Sequence, residues 1–550
     1  MPYIRFFYLI PIILLAVGLV SLAYFFPSPV LFIKLMPLSL FLTVFLAMYH
    51  LLKHKPFLHF IKTTDCLIGL GLGLVLTTCL FLAVTPEFRI LMDEAYLIST
   101  SLSLFEKLQF STYIEAIHGI EGYEHLNYLV PHRPGLFSTL VSGLHFIFGY
   151  NPNHGFAVNF LVSVFSLALF YWLGSKISRT AGVLAALFLF LFPIYQLDVT
   201  SAGFDALNML MLAVFFTQLY FFLKESNIEN FQLLLLAGLL AAQCRYESAI
   251  VILPLLVVLL MHRSIFNHKI SATMLLVPLL YVPVAWQKFV SSNFASLHSK
   301  PEDAFRLSYL FENSVEFFRF FITNLNSSPL IFMLAFLGFY YVFKIKNMHL
   351  PLRITLLLCA LTYGIITIAQ LTYQYGNFNL GWTARFSHVH LLWIVPFAVF
   401  GILHFVARTK LIFAVVVLLF GYSTFAVYHH LKHPEITVPV EYKISQNFLR
   451  NYNKNETLVI SSLPALFTIL GYSSIGFEYP KDKAILLESD KFTSVVAIDS
   501  FQNERWLLSS STEFSSLLKH YPFKELLTLR TAENSQIRFM EFNRRNFLKN

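Results

Sequence analysis

Long apolar stretches recur along almost the whole chain, and nothing else limits its folding so strongly. By hydropathy they run at 4–26, 29–52, 64–85, 154–174, 180–197, 204–223, 231–245, 247–262, 271–289, 328–344, 353–372, 387–407 and 410–428. A helix of about 20 apolar residues crosses the roughly 30 Å hydrocarbon core of a bilayer. A water-soluble core has no use for so many. Composition points the same way: of 550 residues, 57% are hydrophobic and 13% charged, with a mean hydropathy of +0.66. The 60 phenylalanines suit helices that face lipid. The fold class expected is an α-helical polytopic membrane protein with about 13 transmembrane helices.

A further apolar segment, 134–150, is short for a span and holds Ser138, Thr139, Ser142, Gly143 and His145. Charge decides its placement. If it does not cross, Lys53, Lys55, Lys62, Lys176, Arg179, Lys224, Arg263, Lys269, Lys344, Lys346, Arg353, Arg408 and Lys410 all fall on one face. Positive-inside bias assigns that face to the cytoplasm. The N-terminus is then cytoplasmic, while 86–153, 196–204, 290–327, 373–386 and everything after 429 face outward. Segment 134–150 becomes a helix at the outer surface. Cytoplasmic loops account for the net charge of +9, and no nucleic-acid partner is called for. Arg5 precedes a long apolar run without a small-residue cleavage site, so the N-terminus reads as a retained anchor. Cys66, Cys79, Cys244 and Cys359 all sit in apolar runs, which excludes a disulfide scaffold or a Cys/His metal site.

Beyond residue 430 the pattern changes. Short β-rich runs at Thr457–Ser461 and Ser494–Asp499 alternate with helix-like stretches at Leu463–Leu470 and Glu513–His520, and 524–543 reads as one or two more strands. Two domains follow: a membrane domain over 1–429 with a large outer loop at 86–153, and a small extracytoplasmic α/β domain over 430–550.

Ionisable residues at membrane depth are costly and mark functional sites by default. On the outer face they are Asp93-Glu94 after the third span, His132-Arg133 before the surface segment, and Asp205 at the start of a span. Arg245-Tyr246-Glu247 forms a turn between two spans, and Arg385 stands at the start of another. Each has a simpler role open to it. The acids can cap a helix, Arg133 and Arg385 can snorkel to headgroups, and Arg245 and Glu247 can satisfy one another. Their convergence at one depth favours a shared site. Glu121-Gly122-Tyr123-Glu124-His125, in the same outer loop, reads as a mobile covering loop.

The order of these features resembles the GT-C class of glycosyltransferases, in the branch with protein O-mannosyltransferases and the lipid A aminoarabinose transferase. That family's acidic loop motif is matched by Asp93-Glu94, and its Lys-Pro-Pro-Leu-type motif by Arg133-Pro134-Gly135-Leu136. Its loop Asp is matched by Asp205, its Arg-Pro-Glu-like turn by Arg245-Tyr246-Glu247, and its late Arg-Tyr-type motif by Arg385-Phe386. Arg in place of Lys keeps the charge and presents a planar fork to phosphate.

The resemblance implies a sugar moved with inversion from a polyprenyl-phosphate donor to a lipid, glycan or protein acceptor at the extracytoplasmic face. Asp93 would be the base, with Glu94 and Asp205 the further catalytic carboxylates. Arg133, Arg245, Arg385, His132 and Glu247 would form the donor-phosphate site. The residues show no convincing metal site and no cofactor is expected, although some members of the wider class use a divalent ion held by carboxylates. The absence of disulfides and the form of the N-terminus lean toward a bacterial inner or plasma membrane; in a eukaryotic protein the outer face would be lumenal. Two other readings stay open: a lipid-linked polysaccharide polymerase or ligase, and a transporter or flippase.

Overall fold

A computed structural model describes residues 15–21, 28–53, 64–89, 91–119, 122–262, 271–294, 305–342, 344, 349–379, 383–405, 409–433, 438–477, 491–499, 518, 521, 523–530 and 536–542. In chain order come α1 (Pro29–Lys53), α2 (Thr64–Ala83), α3 (Leu91–Lys107), β1 (Thr112–Gly119), β2 (Gly122–Leu129), α4 (Leu136–Phe148) and α5 (His154–Ser175). Then follow α6 (Arg179–Phe190), α7 (Pro193–Val199), α8 (Asp205–Lys224), α9 (Ile228–Cys244), α10 (Ile252–Met261), α11 (Ala272–Phe294) and α12 (Tyr309–Thr323). Next are α13 (Pro329–Val342), α14 (Leu350–Leu371), α15 (Leu391–Phe405), α16 (Thr409–Lys432) and α17 (Val438–Leu449). The tail holds β3 (Thr457–Ser461), α18 (Ala465–Thr468), β4 (Ser473–Ile475), β5 (Ser494–Asp499), β6 (Phe523–Arg530) and β7 (Gln536–Phe542). The 3-10 turns Tyr246–Val251 and Ala384–His390 lead into α10 and α15.

Among the described residues, seven helices are long and apolar enough to cross a membrane, or eight if α6 and α7, bent by 71°, make one broken span. Hydropathy alone counted thirteen. Of the remaining expected spans, 231–245, 247–262 and 328–344 fall on apolar helices of 10–17 residues, and in α11 the apolar part is Ala272–Gln287. The expected span 4–26 lies mostly outside the described residues. Helix α4 has 13 residues, about 20 Å of rise, which is too short to span.

The chain divides into two compact units. The first comprises Met1–Pro86, His132–Leu140 and Gly155–His433. Its helices pack at contacts that only small residues permit. A Cβ on Gly338 would land on the Phe397 carbonyl, and one on Gly401 would land on the Leu334 carbonyl, so α13 and α15 touch backbone to backbone.

The second unit comprises Glu87–Pro131, Val141–His154 and Pro434–Asn550. Its centre is a seven-stranded sheet of order β2-β1-β4-β3-β5-β7-β6. Strands β4, β3 and β5 are parallel, and the flanking pairs are antiparallel. All five residues of β3 are buried, as a parallel strand with both faces covered requires. The hairpin β1–β2 lies within 86–153, the loop expected from the sequence, and joins the tail at Ala116↔Ser474. Ile117 packs with Leu458, Ile460, Ile475 and Val495 in one core. Gly122–His125, expected in a mobile loop, belongs to β2, while Glu121 lies outside the described residues. Most of Glu513–His520 also lies outside them.

Candidate active site

The local sequence explains how the arginines come together. At the end of α9 the backbone of Arg245 turns extended (φ −146°, ψ 143°), which breaks the helix before the 3-10 turn. Asp205 opens α8 as its first residue, and the cap position falls to Phe204, which makes no side-chain capping bond. The Asp205 carboxylate is thus spent elsewhere. Arg245 Nη1 donates to Asp205 Oδ1, and Arg385 Nη1 lies 3.8 Å from Asp205 Oδ2. Arg245 also donates to Glu247 through Nε and Nη2, both at 3.3 Å. Arg245, Asp205 and Arg385 are 5%, 4% and 4% exposed, so these ion pairs are largely desolvated.

Two phenylalanines complete the grouping. The Phe204 ring has the Arg133 guanidinium 6.0 Å and the Arg245 guanidinium 5.4 Å from its centroid. Phe386 holds Arg245 at 5.0 Å and Arg385 at 5.4 Å. Cation–π contacts at these distances orient a guanidinium without neutralising it. Three cations thus stand together with the two carboxylates of Asp205 and Glu247. Nearby, Gln287 donates to the Arg133 carbonyl oxygen (2.7 Å), fixing the turn before α4. His132 lies beside Arg133 in that turn, half-buried. The Tyr373 hydroxyl feels the same charges: burial raises its pKa, and Arg133 pulls it partly back.

Supporting bonds hold the elements in register. Asn159 of α5 donates to the carbonyls of Ser201 and Gly203 (2.8 Å each), pinning the loop before Asp205. One turn into α8, Asn208 accepts from Ser248 (2.6 Å) and ties α8 to the Arg245 turn. Gln370 accepts from His390 (2.9 Å) and donates to the Phe386 carbonyl (3.2 Å).

Two ionisable residues join this neighbourhood that sequence reasoning passed over. Asp198 Oδ2 lies 2.7 Å from His388 Nδ1, and His388 is wholly buried with its ring edge-on to Tyr195. A signal existed: Ser387-His388-Val389-His390 places two ionisable rings at the head of an apolar run, where each should have drawn attention.

Asp93 and Glu94 sit in the second unit, in the first turn of α3. Glu94 is buried, and its Oε2 accepts from the Arg89 backbone N–H (2.7 Å), so it fixes the chain's entry into the helix. Asp93 is half-buried. Its charge adds to burial in holding the Tyr96 hydroxyl well above its usual pKa, so Tyr96 stays protonated beside it.

Among the described residues, no three or more His, Cys, Asp or Glu side chains are placed to hold a metal ion. Helices of membrane length with arginines and carboxylates clustered at their breaks, Asp205, Arg245 and Arg385 buried and Glu247 half-exposed, define, as a class, a polytopic membrane protein with a site suited to an anion. Residues 132–286 match the family model described as dolichyl-phosphate-mannose-protein mannosyltransferase, and the resemblance to the GT-C glycosyltransferases holds over that stretch. The match takes in Arg133, Asp205, Arg245 and Glu247. Two solved structures of ArnT from Cupriavidus metallidurans are similar at 11% identity. The one bound to undecaprenyl phosphate has a TM-score of 0.43 over 86% of this chain and 97% of that one. The apo form has a TM-score of 0.44 over 87% and 98%. No curated protein matches the chain.

Proposed function

We propose that this chain is an integral membrane glycosyltransferase that moves a sugar, with inversion, from a polyprenyl-phosphate donor to an acceptor at the extracytoplasmic face. The observation that carries the reading is the set of three guanidiniums gathered round Phe204 and Phe386. As the bond between the anomeric carbon and the phosphate oxygen breaks, negative charge grows on the leaving phosphate. Cations already held in place stabilise it without reorganising, and one such group is worth about 3 kcal/mol. Arg133, Arg245 and Arg385 take this role. Asp205 and Glu247 hold Arg245, and Asp205 also reaches Arg385, so these carboxylates position the cations.

The acceptor hydroxyl attacks the anomeric carbon from the opposite side, and Asp93 takes its proton. Glu94 has one oxygen committed to the Arg89 amide and acts as a positioning residue. General base catalysis contributes about 10²–10⁴-fold.

The test is sugar release by purified protein from radiolabelled polyprenyl-phosphate sugars, wild type beside Asp93→Asn. Turnover by the wild type, reduced at least 100-fold in the variant while donor binding persists, is expected. An unimpaired variant removes Asp93 from the chemistry. Neither binding nor turnover with any donor overturns the whole reading.

A further inference from the structure

Helix α12 (Tyr309–Thr323) carries three separate faces. At about 100° per residue, Phe311, Val315, Phe318 and Ile322 fall within about 60° of one another. All four are exposed, at 81%, 53%, 50% and 55%. Opposite them Asn313, Phe317, Phe320 and Phe321 are buried against the protein. Between the two lies a polar arc of Glu312, Glu316, Arg319 and Thr323. A helix on the surface of a water-soluble protein needs one apolar face. This one has a second, and its polar arc lies along the border.

The neighbours say what covers that second face. Helix α12 packs against α13 and α14. Helix α14 is a candidate span, with Leu357, Leu361 and Ile368 exposed at 44%, 58% and 58%. Helix α13 exposes Met333 and Phe336 at 63% and 48%. Lipid is the natural medium for such faces, and the α12 stripe adds to them.

We propose that α12 lies in the membrane interface, with Phe311, Val315, Phe318 and Ile322 in the acyl region of the bilayer and Glu312, Arg319 and Thr323 toward water. A helix so placed sinks about 5–10 Å into the headgroup–acyl boundary. The inference does not depend on the enzymatic reading.

This helix also grips the segment that leads to Arg385. Asn313 donates to the carbonyls of Leu371 and Tyr373 (2.9 Å each), and Arg306 N–H donates to the Thr372 carbonyl (2.8 Å). Asn379 donates to the Glu316 carbonyl (2.9 Å) and carboxylate (2.6 Å). A Cβ on Gly376 would fall on the Gln370 carbonyl oxygen and the Asn313 amide, so only glycine allows the chain to pass so closely. The segment is thus fastened to an element that rests on lipid.

The experiment is spin-label accessibility in nanodiscs. Single cysteines replace 311, 312, 315, 318, 319, 322 and 323 in turn, after Cys66, Cys79, Cys244 and Cys359 are changed to Ala. Collision with oxygen is expected to exceed collision with a water-soluble nickel chelate at 311, 315, 318 and 322, with the order reversed at 312, 319 and 323. High nickel access along the stripe means water covers it, and low access to both reagents means protein covers it; either overturns the proposal.

The unmodified chain provides a second measurement. An acyl-chain diazirine lipid should label the tryptic peptide Leu307–Arg319 together with peptides from the candidate spans. Labelled spans beside an unlabelled 307–319 peptide overturn the proposal without any substitution.

Discussion

Asp205 serves two buried arginines at once, and this makes it the most sensitive single residue of the cluster. Removing one partner of a buried ion pair leaves an uncompensated charge and costs about 3–5 kcal/mol. Asp205→Asn should therefore lower the thermal midpoint in detergent micelles and weaken donor-phosphate binding at least tenfold. Asp205→Glu keeps the charge and should retain part of both. An Asp205→Asn protein with unchanged midpoint and affinity would show that the arginines do not depend on this carboxylate. The arginines could be read from the sequence because each interrupts or borders an apolar run. His388 borders an apolar run in the same way and was passed over, while its pairing with Asp198, far earlier in the chain, shows only once the helices are packed.

Among the elements, α3 and α4 meet through a histidine whose tautomer the bonds decide. Ser101 Oγ donates its one proton to the Ile98 carbonyl (2.6 Å), so it must accept from His145 Nε2 (3.0 Å). His145 Nδ1 is then an acceptor, and His154 Nδ1 donates to it (2.8 Å). Burial, with His154 second, pushes the His145 pKa down from 6.5 to about 3. The unfolded chain binds a proton that the folded chain refuses, so stability is full above about 6.5 and falls as the pH drops toward 3. Thermal unfolding at pH 5 should come earlier than at pH 7.5, and His145→Gln should flatten that difference. Equal midpoints for the wild type at the two pH values would contradict this.

The contact between α13 and α15 makes a different demand. Gly401→Leu should block their close approach and leave little folded protein in size-exclusion chromatography. Normal elution and yield would show that the helices pack another way. Hydropathy located both helices but could say nothing of this contact, because it depends on which residues face each other across the pair.

On the scale of the whole molecule, the early hairpin and the tail share one sheet. The tail strands could be anticipated from their alternation, and β3 and β5 fall at the expected positions. The hairpin Thr112–Leu129 was missed because nothing local in a polar loop announces a partner so distant. Truncation after His433 should strip β1 of β4 and of the core around Ile117, exposing the hairpin and the helix α3 packed on it, which carries Asp93. Limited proteolysis should then cut within 87–131, where the full chain resists. Equal resistance would show that the hairpin stands alone.

The shared sheet also sets a timetable. Gly476, whose amide binds the Glu115 carboxylate, follows it by 361 residues. At about 5–20 residues per second, translation leaves the hairpin waiting about 20–70 s for its partner strand. During that interval most of the apolar helices are made while β1 still lacks its β4 partner. The chain's biogenesis therefore has a window open to mispairing that closes only near the end of synthesis.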